Sequence, residues 1–143
     1  MDELERLEQR RKALFDEVES LGDFQRGSIS VNYRKCGKKN CVCAEPAHPG
    51  HGPQYLWNAT IEGKSRARNL KLGPELEKVQ NEVSNYGTFL RLTHELIEVN
   101  EAICALRPVE PIEDAAALET LKKKLRKQFG RKSSRKSPGS VRR

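Results

Sequence analysis

The sequence predicts an α+β protein in which a small three-stranded antiparallel β module is inserted between the two helices of an antiparallel coiled-coil hairpin. Two observations lead to this prediction. Apolar residues recur at steps of three and four on both sides of a central segment, whose own apolar residues alternate. That segment also holds three of the four cysteines and two of the three histidines. We therefore expect a β module held together by zinc and carried on a helical frame, followed by a third helix and a disordered basic tail.

The composition limits the size of the core and the class of protein. The 143 residues are 36% hydrophobic and 33% charged, which fits one domain with a small core. No window approaches the roughly 18 consecutive apolar residues of a membrane span, and the start, MDELERLEQRRK, has no apolar stretch of the signal-peptide type. We expect a cytoplasmic protein without a membrane partner, whose cysteines stay reduced.

The net charge of +7 is unevenly distributed along the chain. Residues 24–73 contain nine basic and two acidic side chains, and residues 121–143 contain eleven basic and no acidic ones. The other two segments are acidic. Such segregation indicates two anion-facing parts mounted on an acidic helical frame.

Residues 1–23 are predicted to form the N-terminal coiled-coil helix. Its apolar side chains recur at the three- and four-residue steps of a heptad and form a stripe along one face. Arg11 occupies the one polar position in this stripe. Gly22 and Asp23 end the helix. The apolar positions are Leu4, Leu7, Leu14, Val18 and Leu21.

Residues 24–73 are predicted to form the zinc-binding β module. Apolar residues alternate with polar ones in three stretches, and Glu62-Gly63 turns the chain between the last two. On the third strand, Arg66 and Arg68 share a face with Leu70 and Leu72. We expect the aromatic residues of the second strand in the core of the module. The alternating residues of the first two strands are Ile29, Val31 and Tyr33, then Tyr55, Trp57, Ala59 and Ile61.

Residues 74–107 are predicted to form a long helix that starts at Pro74, and residues 108–129 a C-terminal helix. The apolar stripe of the long helix is displaced between Tyr86 and Phe89, which indicates a change of packing partner midway. These helices provide the surface for an expected homodimer. Cys104 is expected to be a small buried residue. Residues 130–143 have no apolar periodicity and are predicted to be a disordered basic tail.

The loop between the first two strands has the spacing of a metal site. Cys36-x4-Cys41-x-Cys43 is followed by either His48 or His51 as the fourth ligand. Three cysteines and one histidine are a standard ligand set for structural zinc, which contributes on the order of 10 kcal/mol to folding in small peptides. The alternatives are a redox-sensing group of thiols and cysteines without a ligand.

At this loop the chain resembles a family of small prokaryotic proteins with a domain of unknown function. The shared pattern is RGSIS-x-x-Y-x-KCGKKNC-x-CA, then HGP before an aromatic strand, and KSRAR on the next strand, over about residues 26–105. The resemblance matches Cys36, Cys41 and Cys43 and favours His51 over His48. The chain differs from the pattern in its longer EPAHPG insert, so His48 stays a competing ligand. Family members often occur near transposase genes. The resemblance therefore implies a setting of DNA mobility, but it implies no particular enzymatic reaction.

The basic side chains of the module and of the last helix are the predicted nucleic-acid contacts. Lysine and arginine neutralise phosphates and release counterions. No recognition-helix pattern is visible, so binding should be largely independent of sequence, with DNA favoured over RNA. The predicted contacts are Lys35, Lys38, Lys39, Lys64, Arg66, Arg68, Lys71, Lys122, Lys123, Lys124, Arg126 and Lys127.

These features predict a non-enzymatic, zinc-binding nucleic-acid-binding accessory protein associated with a mobile element. The alternative is a coiled-coil protein–protein adaptor, or an oligomeric scaffold, whose basic tail docks an acidic partner. A protein partner encoded nearby is also expected. A metal-dependent hydrolase or deaminase is not expected. Glu45 is present in the loop, but no His-x-Glu pattern accompanies it.

Overall fold

The computed structural model of the protein describes residues 1–130. The predicted α+β class, with three helices and a three-stranded antiparallel sheet, is confirmed. The predicted tail lies outside the described residues, except for Gly130. The chain divides into two compact units, Met1–Leu106 and a second that begins at Arg107. The elements are α1 (Glu3–Glu19), β1 (Ser28–Arg34), β2 (His51–Ile61), β3 (Lys64–Leu70), α2 (Pro74–Leu106) and α3 (Ala115–Phe129).

Helix α1 starts at a reciprocal cap. The Asp2 side chain accepts a hydrogen bond from the Glu5 backbone N–H (2.8 Å), and the Glu5 side chain accepts one from the Asp2 backbone N–H (3.0 Å). This capping box satisfies backbone donors that have no partner inside the helix. The cap therefore fixes the start of the helix, while packing against α2 fixes its face.

Helices α1 and α2 pack as an antiparallel pair. Arg11 Nη1 donates to Asn100 Oδ1 (3.0 Å), whereas Asn85 Nδ2, half-way back along α2, donates to the Asp23 carbonyl just after α1 (2.9 Å). Arg11, the polar residue in the apolar stripe, thus has a polar partner on α2. The buried core of the pair consists of Leu14, Leu92, Leu96, Val99 and Ile103.

A second core lies between the sheet and the first half of α2. The strand order is β1-β2-β3, and the register places Ile29 and Arg68 on either side of Trp57. Trp57, Leu70 and Val79 form the buried core. Helix α2 therefore packs on the sheet with its first half and on α1 with its second half, which is the physical reason for its displaced stripe.

The segment between α1 and β1 ties the two cores together. The Phe24 ring stacks on Phe89 with 4.7 Å between centroids. Gln25 donates its backbone N–H to the Glu82 carbonyl (3.2 Å) and its side-chain amide to the Glu82 carboxylate (2.6 Å). The Lys78 ammonium, 2.6 Å from that carboxylate, lowers the pKa of Glu82, and so the buried acid is paired.

One residue of α2 differs from its prediction. Cys104, expected to be buried, is exposed. Consecutive helical residues point about 100° apart, so Ile103 faces α1 and its neighbour does not.

In the part of the chain from residue 1 to 130, no helix is both long and apolar enough to cross a membrane.

Candidate metal centre

The loop between β1 and β2 gathers four side chains that can hold a metal ion. The ligand atoms of Cys36, Cys41, Cys43 and His51 all lie within 4.8 Å of one another. The Sγ atoms of Cys36 and Cys43 are 3.5 Å apart, and Cys41 Sγ is 3.2 Å from His51 Nε2. These distances come from residues that span sixteen positions of the sequence, so the loop folds back on itself.

The spacing of the ligand atoms fits a tetrahedral ion. Zinc–sulfur bonds of about 2.3 Å place two sulfurs of a tetrahedral site about 3.8 Å apart. The observed distance between the Cys36 and Cys43 sulfurs is a little shorter. The donor set of three thiols and one imidazole is one that binds structural zinc. The cluster is therefore compatible with a zinc site in both chemistry and dimensions.

A single turn of 3-10 helix, Val42–Ala44, positions the second and third cysteines. The Ala44 N–H donates to the Cys41 carbonyl (2.9 Å), which directs the buried Cys43 sulfur back toward the end of β1. The Cys43 sulfur accepts a hydrogen bond from the Cys36 N–H (3.4 Å). Lys35 Nζ donates to the Glu45 carbonyl (2.9 Å) and closes the loop from outside.

Two glycines position His51, the first residue of β2. Gly50 and Gly52 have φ values of +110° and +141°, which residues with a side chain rarely adopt. A Cβ on Gly50 would lie 2.7 Å from the Arg34 carbonyl carbon, and one on Gly52 would lie 2.8 Å from the Asn32 carbonyl oxygen. The close approach of β1 to these glycines thus requires the absence of side chains. Gly50 and Gly52 are not among the site residues predicted from the sequence, although the pattern Gly-His-Gly around His51 marks them.

The structure does not place His48 in the cluster. Its Nδ1 accepts a hydrogen bond from the Gly50 N–H (2.9 Å), and its side chain is half-buried. His48 therefore shapes the turn that precedes His51. Of the two histidines that compete in the sequence, the structure brings His51 to the cysteines.

The thiols of the cluster differ in acidity. Hydrogen bonds from the Lys38 backbone N–H, from His51 and from Cys43 lower the pKa of Cys36 to about 6. The hydrogen bond from the Cys36 N–H lowers the pKa of Cys43, but burial and the neighbouring Cys36 and Cys41 thiols outweigh it, and the net pKa of Cys43 is raised. Near pH 7 the folded loop thus presents a thiolate at Cys36, which is the form that binds metals.

The predicted nucleic-acid contacts of the module fall into separate groups. Lys35, Lys38 and Lys39 are exposed on the metal loop. Lys64 and Arg66 lie near the β2–β3 turn, at the other end of β2. Because β2 has 11 residues, the two ends are about 33 Å apart at 3.3 Å per residue. The metal loop and the hairpin turn are therefore distinct basic surfaces.

Arg68 and Lys71 differ from the other cations of the module. The Arg68 guanidinium carbon lies 5.1 Å from the centre of the Trp57 ring, a cation–π contact. Trp57 itself is buried, and its Nε1 donates to the Arg26 carbonyl (2.9 Å). Lys71 follows β3, and its backbone N–H donates to the Glu75 carboxylate (2.7 Å). Arg68 thus also helps to cover the core.

Helix α3, in the second unit, carries the other predicted contacts. It starts at Asp114, whose side chain accepts a hydrogen bond from the Ala116 N–H (3.3 Å). Glu119 pairs loosely with two of its cations, at 3.8 and 4.0 Å. All five predicted contacts on this helix are exposed: Lys122, Lys123, Lys124, Arg126 and Lys127.

The comparisons with known proteins give a family for the first unit. No curated protein and no solved structure matches the chain. The family described as a domain of unknown function (DUF6788) matches residues 4–81, a range that contains all of α1 except its first residue, the whole sheet and the metal loop. Because this match covers more than half of the 143 residues, the chain belongs to the DUF6788 family.

Proposed function

We propose that the protein is a non-enzymatic accessory protein that binds zinc through Cys36, Cys41, Cys43 and His51 and binds the phosphate backbone of DNA. The observation that carries this proposal is the convergence of four ligand atoms within 4.8 Å in a loop that also presents exposed lysines. The zinc ion would fix the conformation of that loop, and the lysines would then contact phosphates from a rigid base.

The ligand set favours a structural rather than a catalytic zinc ion. Structural sites have four protein ligands, whereas catalytic sites leave one position for water or substrate. Here three thiolates and one imidazole would fill all four positions. The sheet beneath the loop has only three strands and one small buried cluster, so zinc would supply stability that this core lacks.

Charge supports a phosphate-binding role for the metal loop. One zinc ion with three thiolates and a neutral imidazole has a formal charge of −1, which Lys38 and Lys39 more than offset at the surface. Lys35 is held against the Glu45 carbonyl and so has a fixed position. The exposed cations of α3 provide a second phosphate-binding segment. Contacts of this kind give affinity that depends strongly on salt and little on base sequence.

The link to mobile elements rests on the resemblance at the metal loop. The KCGKKNCVCA segment and the following HGP element are the residues that carry it. In this proposal the protein assists DNA transactions of a mobile element and leaves the chemistry to a separate enzyme encoded nearby.

Titration of duplex DNA at several salt concentrations tests the proposed function. Neutralising Z phosphates gives a slope of about −0.9Z for log K against log salt. Replacing Lys38 and Lys39 with alanine should reduce that slope by about 0.9 for each lost contact. Lys12→Ala is the matched control, because Lys12 is an exposed lysine on α1. Absence of binding at low salt, or a slope unchanged in the double variant, would contradict the role of the loop.

A coiled-coil adaptor or oligomeric scaffold is the second candidate function. The face of α2 that points away from α1 exposes Leu90 and Ile97, the latter with 57% of its surface accessible. These residues and Cys104 repeat every seven positions, which is the spacing of a helix–helix contact. Light scattering on the unsubstituted protein and on Ile97→Lys tests this candidate. An oligomer that is lost in Ile97→Lys would support it. An unsubstituted protein that is monomeric would exclude it.

A further inference from the structure

Strand β1 is an open edge of the sheet. The strand order β1-β2-β3 leaves one side of β1 unpaired. Among residues 1–130, no backbone hydrogen bond joins β1 to any element except β2. Its apolar residues Val31 and Tyr33 keep 55% and 51% of their surface accessible. An edge strand with unpaired backbone groups and exposed apolar side chains is a template for another strand.

An apolar groove runs beside this edge, between the sheet and α2. The groove has a volume of ≈ 400 Å³. No charged side chain lines it, and its walls come from both elements. The lining residues are Ile29, Val31, Tyr55, Leu76, Gln80, Val83 and Ser84. A strand added to β1 would therefore bring its side chains over an apolar surface that is already formed.

The opposite edge of the sheet is protected. Strand β3 presents Lys64, Arg66 and Arg68 at alternating positions, and lysine or arginine on an edge strand prevents further pairing. Strand β1 has no charged residue between Gly27 and Tyr33. The two edges thus differ in charge, and only β1 is suited to pairing.

We propose that β1 is the site of self-association, where a second copy of the chain pairs antiparallel about Val31 to form one six-stranded sheet. In this register Val31 lies opposite Val31 of the second copy, and Ile29 lies opposite Tyr33. Residues directly opposite one another share a face of the sheet. All three apolar residues therefore meet apolar partners on the face that carries α2, and each Tyr33 is placed beside the groove of the other copy.

The sequence of β1 selects this register over its neighbours. A shift that centres the pair on Ser30 would place Arg34 opposite Arg26, two like charges. A shift that centres it on Asn32 would place Ile29 opposite Lys35. With Val31 at the centre, Arg34 lies opposite Ser28 and no like charges meet. The arrangement is isologous and closes with two copies, because both outer edges of the six-stranded sheet are then β3 strands, which carry cations.

Sedimentation of the zinc-loaded full chain, without DNA, tests the inference. The protein should sediment as a dimer, and Val31→Lys should raise the dimer Kd by about tenfold or more, because two lysines then lie opposite each other. Ala67→Lys, on exposed β3, is the matched control and should leave the dimer intact. A protein that stays monomeric at all concentrations overturns the inference. So does a dimer that survives Val31→Lys and is lost in Ile97→Lys.

Oxidative cross-linking tests the register itself. Opposite residues of an antiparallel pair have Cα atoms about 4.5–5.5 Å apart, within the range that a disulfide spans. In a Cys104→Ser background, Val31→Cys should form a covalent dimer, whereas Ser65→Cys on β3 should not. A protein that cross-links equally at both positions, or at Ser65 alone, would show that β1 does not pair about Val31.

Discussion

Cys41 Sγ lies 3.2 Å from His51 Nε2, and this contact joins the turn of 3-10 helix to the first residue of β2. It brings together the two ends of an eleven-residue segment, from Cys41 to His51. Within that segment, Cys43 turns its sulfur toward Cys36 on the β1 side. The cluster therefore links β1, the loop and β2, and so a metal ion there would act on the whole sheet.

Loss of one ligand should release zinc and loosen the sheet. Freshly purified protein is expected to contain about one zinc ion per chain, and Cys36→Ser and His51→Ala should each contain much less. His48→Ala is the control, because His48 bonds to Gly50 and not to the cysteines. Elemental analysis measures the content. Full zinc in both ligand variants, or loss only in His48→Ala, would refute the ligand set.

Gly50 should be required for zinc affinity because of the space it leaves. Gly50→Ala introduces a Cβ 2.7 Å from the Arg34 backbone, which would displace His51. Gly37→Ala is a matched control in the same loop. Gly37 also has positive φ, +87°, but a Cβ there meets nothing within 4 Å. Chelator competition should show a larger loss of zinc affinity for Gly50→Ala. Equal losses would mean that backbone strain alone matters.

Zinc affinity should fall as the pH drops through about 6. Hydrogen bonding, chiefly from the Lys38 N–H, lowers the pKa of Cys36 from 9.0 to about 6 in the folded loop. Between pH 9.0 and about 6 the Cys36 thiol therefore holds fewer protons in the folded loop than in the unfolded chain. The stability that the Cys36 thiolate contributes to the folded loop is lost as the pH falls through the lower of the two pKa values. Zinc binding favours the same deprotonated state. Chelator competition between pH 8 and pH 5 measures this, and an affinity that is constant down to pH 5 would contradict it.

The helix pair should depend on Leu14 far more than on its neighbour. Leu14 is fully buried in the α1–α2 core, whereas Phe15 keeps 55% of its surface accessible. Leu14→Ala should reduce the free energy of unfolding by about 2–5 kcal/mol, as expected for a buried leucine. Phe15→Ala should reduce it by less than about 1 kcal/mol. Urea denaturation followed by circular dichroism compares the two, and similar losses would contradict the observed packing.

Periodicity in the sequence was sufficient to predict the α+β class and the three-stranded antiparallel sheet. Alternation at Ile29, Val31, Tyr55 and Trp57 identifies strands because one face of the sheet is buried on α2. The displaced stripe of α2 likewise reflects its two packing partners. Such patterns are readable since they result from burial along a single element.

Features that depend on contacts between distant residues could not be predicted in the same way. The spacing of the cysteines left His48 and His51 open, because the choice depends on how Gly50 and Gly52 lie against β1. Cys104 was expected to be buried from its apolar neighbour, but one step along a helix changes the face. The separation of the module's cations also follows from strand register and not from composition.

Pairing of two copies through β1 should set the length of duplex DNA that binds best. Cys36 lies five residues beyond Val31, so the two metal loops would be about 33 Å apart at 3.3 Å per residue. This distance is close to one turn of B-DNA, about 34 Å. A dimer should therefore gain affinity between duplexes of about 10 and about 20 base pairs, because the second loop then binds the same molecule. Fluorescence anisotropy on Val31→Lys should show a smaller gain at equal salt. If the unsubstituted protein and Val31→Lys depend on duplex length in the same way, dimerisation through β1 does not influence DNA binding. If neither protein binds DNA, the result counts against the phosphate-binding role alone.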